Sequence, residues 1–250
     1  MNRTDTAKAA KSKHMTAIIL AGGKGTRLKP FTITIPKPLL PLGDIPILEV
    51  VLRQLAKAGF NRIIITLGHM APFFQAYLGQ AAIAGLNIEY VLEDEPLGTA
   101  GPLRLVEGLD QPFLVMNGDL LTTLDYKDLL RHHTACAASG TISLQHREVK
   151  IDYGVIRATP NGLLQDYVEK PVIPYEVSMG IYALSPDSLG FIPSNGRFDM
   201  PDLMLAMHRA GKVVACYQPK SYWKDIGRFD DYEEANADFV ANPSRFLPGS

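Results

Sequence analysis

The chain has 250 residues, 46% hydrophobic and 20% charged, an ordinary globular composition with length for one large domain or two small ones. Its 25 basic and 26 acidic residues leave a formal net charge of -1, without the basic excess that marks nucleic-acid binders. There is no run of about 18 apolar residues, which argues against a membrane span.

Residues 1–14 (MNRTDTAKAAKSKH) are polar and lack an apolar core, so they do not read as a secretory signal and are expected to be a disordered tail or tag. Thr16–Leu20 (TAIIL) reads as a buried strand. Ile47–Ala58 has apolar residues at helical spacing and stops at Gly59. A strand at Arg62–Leu67, a helix around Pro72–Leu78 and a strand at Asn87–Leu92 follow. Next come a helix over Thr99–Glu107, a strand at Phe113–Asn117, a helix over Tyr126–His133 and a strand at Thr141–Gln145. This rhythm predicts an α/β fold with a mostly parallel sheet covered by helices on both faces. Beyond about residue 140 the short strands Tyr153–Ala158, Gln165–Glu169 and Glu176–Tyr182, separated by turns such as Pro160-Asn161-Gly162, predict an inserted antiparallel or mixed region. Helices return at Met200–Ala210 and Phe229–Val240, with a strand at Val213–Tyr217 between them. A single domain over 15–242 and a tail over 243–250 are expected. Cys136 and Cys216 have no second Cys or His at metal-ligand spacing and are expected to be buried free thiols of a reducing, cytoplasmic compartment.

The first strand runs into Leu20-Ala21-Gly22-Gly23-Lys24-Gly25-Thr26-Arg27-Leu28. Glycines at the carboxyl end of a buried strand let backbone N–H groups approach phosphate oxygens. The loop is neither a dinucleotide G-x-G-x-x-G, which would need glycine where Leu28 stands, nor a Walker loop. It carries a cation, Arg27, and a second, Lys37, held between Pro36 and Pro38. Two cations with glycine amides suit a triphosphate whose charge builds on a leaving pyrophosphate. The other reading is a glycine-rich turn with two surface cations.

LAGGKGTRLKPFT followed by PKPLLPLGDIPILE resembles the signature of the sugar-phosphate nucleotidylyltransferases, and EDEPLGTAGPL is most like the mannose-1-phosphate and heptose-1-phosphate guanylyltransferases. The segments EPLGTAGPL, NGD, YGVI, EKP, SMGIY and WKDIGR extend the resemblance over about residues 15–240. It implies a Rossmann-like sheet with a small sugar-side β insertion, Mg²⁺, an NTP and a sugar 1-phosphate as substrates, and in-line attack at the α-phosphorus. It also implies a nucleotide site of Leu20, Ala21, Gly22, Gly23, Gly25, Thr26, Glu93, Gly98, Thr99 and Asn117. Asp119, at the end of FLVMN, and Asp225 in WKDIG match the family's metal aspartates, although by sequence alone each is as well a cap or turn residue. Lys170 is expected against the sugar phosphate, Glu169 against sugar hydroxyls, and Gly154 to leave room for the ring. Ser178 stands where relatives often carry Asn.

Glu93 stands where thymidylyl and uridylyl relatives often carry an amide. An ionised carboxylate only accepts hydrogen bonds and suits the N1–H and N2–H₂ edge of guanine, which favours GTP. Uridylyl or thymidylyl transfer within the family stays open. So do two other classes: a metal-dependent glycosyltransferase using Asn117-Gly118-Asp119, and a non-catalytic nucleotide-sugar sensor. Because the chain ends soon after its last core helix, without the C-terminal β-helix of some relatives, a single activity is expected.

Overall fold

The computed structural model describes residues 14–247 apart from Lys24, His69, Ala81, Ala82 and Ala84; the tail expected over 1–14 lies outside them except for His14. In chain order it forms β1 (Thr16–Leu20), β2 (Pro41–Leu42), β3 (Ile45–Pro46), α1 (Ile47–Lys57), β4 (Arg62–Leu67), α2 (Ala71–Gln80), β5 (Asn87–Leu92), β6 (Phe113–Asn117) and β7 (Leu120–Thr122). Then follow α3 (Tyr126–Ala135), β8 (Gly140–Lys150), β9 (Val155–Ala158), β10 (Leu164–Val168), β11 (Val172–Leu184), α4 (Met200–Arg209), β12 (Val214–Tyr217), β13 (Trp223–Asp225), α5 (Phe229–Ala241) and α6 (Pro243–Phe246).

Seven strands make one sheet in the order β12-β8-β11-β6-β1-β4-β5. β6, β1, β4 and β5 pair in parallel, β11 runs antiparallel between β6 and β8, and β12 joins β8 in parallel. The expected mixed, mostly parallel sheet is what the chain builds. From Ala17 to Leu20, β1 is apolar, as suits a strand covered on both faces. Ala17 and Ile19 pack with Leu52 of α1, Phe74 of α2 and Leu129 of α3, whereas Ile18 packs with Leu203 and Met207 of α4. Helix α1 presents Leu48, Val51, Leu52 and Leu55 to the first of these cores. It ends at Gly59, whose φ of +86° is the left-handed conformation that closes a helix without a Cβ penalty.

A third core joins Leu28, Leu40 and Ile47 to Leu121, Ile226, Phe239 and Phe246. The expectation of a tail from residue 243 is corrected here: α6 carries Phe246, which is fully buried, so the domain runs on through Leu247. The helix expected over Thr99–Glu107 is also corrected, to a 3-10 turn over Gly101–Leu105 with Pro102 in its first turn. The strands expected at Thr141–Gln145 and Glu176–Tyr182 are the inner parts of β8 and β11, which run on as an antiparallel ribbon to Lys150 and Val172. β9 and β10 form a separate two-stranded hairpin beside it.

At the opposite end of the sheet from the glycine loop, His133 is buried in a hydroxyl network. Ser185 Oγ donates to the Ala138 carbonyl and so accepts from His133 Nε2, while Thr141 Oγ1, 2.8 Å from Nδ1, donates to it. Burial holds the imidazole below its ordinary value, Asp187 pulls the other way, and His132 adds to the lowering. A lowered folded-state value favours the neutral ring, so its contribution to stability is complete above the ordinary histidine range and is lost as pH falls through the folded value. The melting temperature should therefore fall as pH drops from about 7 towards 5. A His133→Gln protein, less stable overall, should show a shallower decline over that window; an equal slope would place the titrating group elsewhere.

Candidate active site

The parallel strands β1, β4, β5 and β6 end along one edge, and the candidate nucleotide and metal residues gather there because glycines let the strand ends close on one another. Leu20 O accepts from Gly118 N at 3.0 Å, and Ala21 N donates to Thr66 O at 3.0 Å. A side chain at Gly118 would crowd Ile19, the Leu20 carbonyl and Pro38, so glycine is what lets the end of β6 meet the Pro36-Lys37-Pro38 arm. Gly22 lies under Glu93, whose Oε1 would stand 2.8 Å from any added Cβ. Gly23 opens to free space, and Gly25 takes a left-handed φ of +58°. The Gly25 carbonyl accepts from Thr32 Oγ1 at 2.7 Å and from Leu28 N at 3.0 Å, which starts the 3-10 turn bearing Thr26 and Arg27 on its exposed side.

Lys37 is 7% exposed, unusual burial for a lysine, and its ammonium is matched by two carboxylates. Its Nζ lies 2.5 Å from Asp119 Oδ2 and 3.9 Å from Asp225 Oδ1. The backbone brings these aspartates together: β7 pairs with β13, Asp225 stands opposite Leu120, and Ile226 N donates to Asp119 O at 3.1 Å. Burial, and then repulsion from Asp119, push the Asp225 carboxyl above its ordinary value, against the attraction of Lys37 and Arg27. Arg27 reaches the same corner, with Nη1 3.7 Å from the position a Cβ would take on Gly227. Two hard oxygen donors thus converge on one cationic atom, a donor set that fits a divalent ion such as Mg²⁺. No third His, Cys, Asp or Glu among the described residues completes a denser metal cluster.

Glu93 follows β5, half-buried beside the glycine loop, and burial raises its carboxyl despite the bond it accepts from Leu97 N at 3.0 Å. Oε2 thereby ties the 93–97 loop, and Oε1 lies over Gly22. Gly98 and Thr99 are tied into the scaffold. Gly98, at a φ of +85°, sits so close to the Phe198 carbonyl that an added Cβ would stand 2.5 Å away. Thr99 N donates to Asp199 Oδ1 at 3.0 Å, and Thr99 Oγ1 accepts from Met200 N at 2.7 Å, pinning the loop to the start of α4. Asp199 went unnoticed in the sequence, although an Asp before Met-Pro at a helix start is a capping signal.

Asn117 ends β6 against Gly180, where a Cβ would meet its Nδ2 at 2.6 Å. Gly180 belongs to an irregularity in β11 between Ser178 and Tyr182. Ser178 Oγ is engaged there, donating to Tyr182 Oη at 3.0 Å and accepting from Gly180 N at 3.2 Å. Gly154, Glu169 and Lys170 group separately, on the β9–β10 hairpin. Gly154 does not leave open space: an added Cβ would meet Tyr167 Oη at 2.3 Å and Glu169 Oε2 at 3.0 Å. Lys170 has a φ of +46°, a left-handed conformation that costs a non-glycine residue roughly 1–2 kcal/mol. Lys170→Gly should leave the melting temperature unchanged or raise it by about 1–3 °C, whatever happens to activity. A clear fall in a thermal melt would show that the lysine side chain supports the fold.

Residues 16–242 match the nucleotidyl transferase family model. The chain is 35% identical to a mannose-1-phosphate guanyltransferase of Schizosaccharomyces pombe, over 94% of this chain and 67% of that protein. It is 32% identical to a UTP–glucose-1-phosphate uridylyltransferase of Synechocystis, over 88% of this chain and 62% of that protein. It thus spans roughly two thirds of these curated relatives, from 62% to 67%. The crystal structure of HddC from Yersinia pseudotuberculosis complexed with GMP-PN superposes with a TM-score of 0.66 at 26% identity, covering 90% of this chain and 99% of that one. With a glycine loop, two paired aspartates and a buried lysine at the carboxyl edge of its sheet, and a family match over nearly its whole length, this chain belongs to the nucleotidyl transferase family.

Proposed function

We propose that the protein transfers a nucleotidyl group from an NTP, with GTP favoured, to a sugar 1-phosphate and releases pyrophosphate. The observation that carries this reading is the corner where Lys37 lies between Asp119 and Asp225, with Arg27 beside it on the glycine loop. A phosphate oxygen of the sugar 1-phosphate forms a bond to the α-phosphorus as the bond to the β-phosphate oxygen breaks, and pyrophosphate departs with the electron pair. The attacking oxygen is already anionic, so no general base is needed, and positioning plus charge neutralisation carry the step. Arg27 and Lys37 hold the triphosphate, Lys170 orients the attacking phosphate, and Glu169, beside Gly154, reads sugar hydroxyls together with Ser178. Leu20, Ala21, Gly98, Thr99 and Asn117, with the amides of Gly22, Gly23, Gly25 and Thr26, line the nucleotide side. Asp119 and Asp225 would hold Mg²⁺, which when bound neutralises phosphate charge.

Guanine selectivity rests on the half-buried Glu93 carboxylate and is supported by the guanyltransferase relatives. Uridylyl transfer is the second reading, favoured by the similarity to the Synechocystis protein. The family match speaks against the glycosyltransferase alternative, and the paired aspartates and cations against a pure sensor. No described helix is long and apolar enough to cross a membrane. The decisive experiment is pyrophosphate release across four NTPs and a panel of sugar 1-phosphates with Mg²⁺. Activity with GTP and mannose 1-phosphate or a heptose 1-phosphate is expected, and no release with any pair sinks the proposal.

Steady-state kinetics separate the two halves of the site. Arg27→Ala should raise KM for the NTP, and Lys170→Ala should raise KM for the sugar 1-phosphate, each by about tenfold or more for one lost charged hydrogen bond. A Lys170→Ala enzyme whose main defect is in the NTP would reverse the assignment. Lys37→Arg should not restore full activity, because a planar fork does not replace a compact ammonium between two carboxylates.

A further inference from the structure

The β9–β10 hairpin places three residues together. Val168 pairs with Val155, so Glu169 and Gly154 lie at the next position, across from one another. Tyr167, two residues before Glu169, shares its face of the strand. Its hydroxyl donates to Glu169 Oε2 at 3.1 Å and lies over Gly154, 2.3 Å from where a Cβ would be. Glu169 Oε1 has no hydrogen-bond partner among the described residues, so the carboxylate is held by one oxygen and free at the other. Gly154 thus makes room for the tyrosine hydroxyl, and the hydroxyl in turn orients the carboxylate.

We infer that Tyr167 is a positioning residue for the sugar half of the site, its hydroxyl fixing Glu169 so that Oε1 is presented to a sugar hydroxyl. The inference rests on the reading of Glu169 as a sugar-contacting carboxylate. An exposed glutamate samples many rotamers, and fixing one of them before substrate arrives removes part of the ordering cost of binding. The effect belongs to substrate binding and not to the bond-breaking step, so it appears in KM for the sugar 1-phosphate.

Tyr167→Phe keeps the ring and removes only the hydroxyl. With whichever of mannose 1-phosphate and glucose 1-phosphate gives the faster pyrophosphate release, Tyr167→Phe should raise KM for that sugar about five- to tenfold, within the range of one ordinary hydrogen bond, because the hydroxyl orients the carboxylate and does not itself touch the sugar. KM for the NTP should stay within about twofold, and the melting temperature within about 1 °C, as expected for a local change at an exposed position. Glu169→Gln should raise the same KM, and the double variant should be no worse than Glu169→Gln alone, because the hydroxyl acts only through the carboxylate. If Glu169→Gln raises KM for the sugar and Tyr167→Phe leaves it unchanged, the inference fails while the reading of Glu169 stands. If Glu169→Gln itself leaves that KM unchanged, the reading of Glu169 fails and the inference with it. If Tyr167→Phe raises both KM values alike and lowers the melting temperature, the tyrosine is a packing residue and the inference is overturned.

Discussion

Replacing either aspartate of the Lys37 corner by asparagine should lower turnover at least about 100-fold, the loss that follows removal of a major electrostatic element from an active site. The geometry explains why the two are not redundant. Asp119 is carried by the turn between β6 and β7, and Asp225 by β13, which pairs with β7, so the two face the same ammonium from different segments. Asparagine keeps the shape but removes the charge, so one carboxylate would remain to balance Lys37 and any bound metal. Burial already raises the Asp225 carboxyl, and Lys37 and Arg27 hold it down. The measurement is pyrophosphate release by Asp119→Asn and Asp225→Asn at saturating Mg²⁺, with EDTA-treated wild type as the zero. EDTA should abolish turnover. Near-normal rates for both variants would move the metal away from this corner.

Glu93→Gln should cost roughly 2–4 kcal/mol in kcat/KM with GTP and much less with UTP or dTTP. Glu93 Oε2 already accepts from Leu97 N, and Oε1 lies over Gly22, where a base bound beside the glycine loop would find it. In the glutamine variant the amide oxygen must keep the Leu97 bond, which turns the NH₂ group towards the donors of guanine. A donor facing a donor loses one charged hydrogen bond and leaves buried groups unpaired. The imide edge of uracil or thymine carries both an acceptor and a donor and tolerates the exchange. The comparison needs kcat/KM for all four NTPs in wild type and variant, since discrimination is a ratio of those values. A wild type that prefers UTP would remove guanine from the reading while leaving nucleotidyl transfer intact. A GTP preference that survives Glu93→Gln would transfer base recognition to backbone groups of the Leu20–Gly23 loop.

Most elements were legible from pattern alone. The buried strands TAIIL, RIIITL and FLVMN are runs that only a sheet covered on both faces accommodates, and α1 announces itself by its apolar spacing and the closing Gly59. Errors fell where local signals are weak or ambiguous. Thr99–Glu107 has apolar residues at a plausible spacing, but the chain makes only a 3-10 turn there, over Gly101–Leu105. Phe246 reads as part of a tail until α6 docks and buries it beside Phe239 and Ile226.

By itself the sequence determined the chemical inventory: a glycine loop after a buried strand, cations at Arg27 and Lys37, aspartates at strand ends, and a stiffened lysine after Glu169. These are local facts, set by which residues stand within a few positions of one another. Only the tertiary structure decided how the inventory combines. It alone put Lys37 between carboxylates 82 residues away at Asp119 and farther on at Asp225, because that meeting depends on β6 adjoining β1 and on β13 pairing with β7. It alone tied Thr99 to Asp199 and set Gly98 against the Phe198 carbonyl. It also filled the space at Gly154 with the hydroxyl of Tyr167, because a hairpin's register determines which side chain lies over a glycine and a motif names only the glycine.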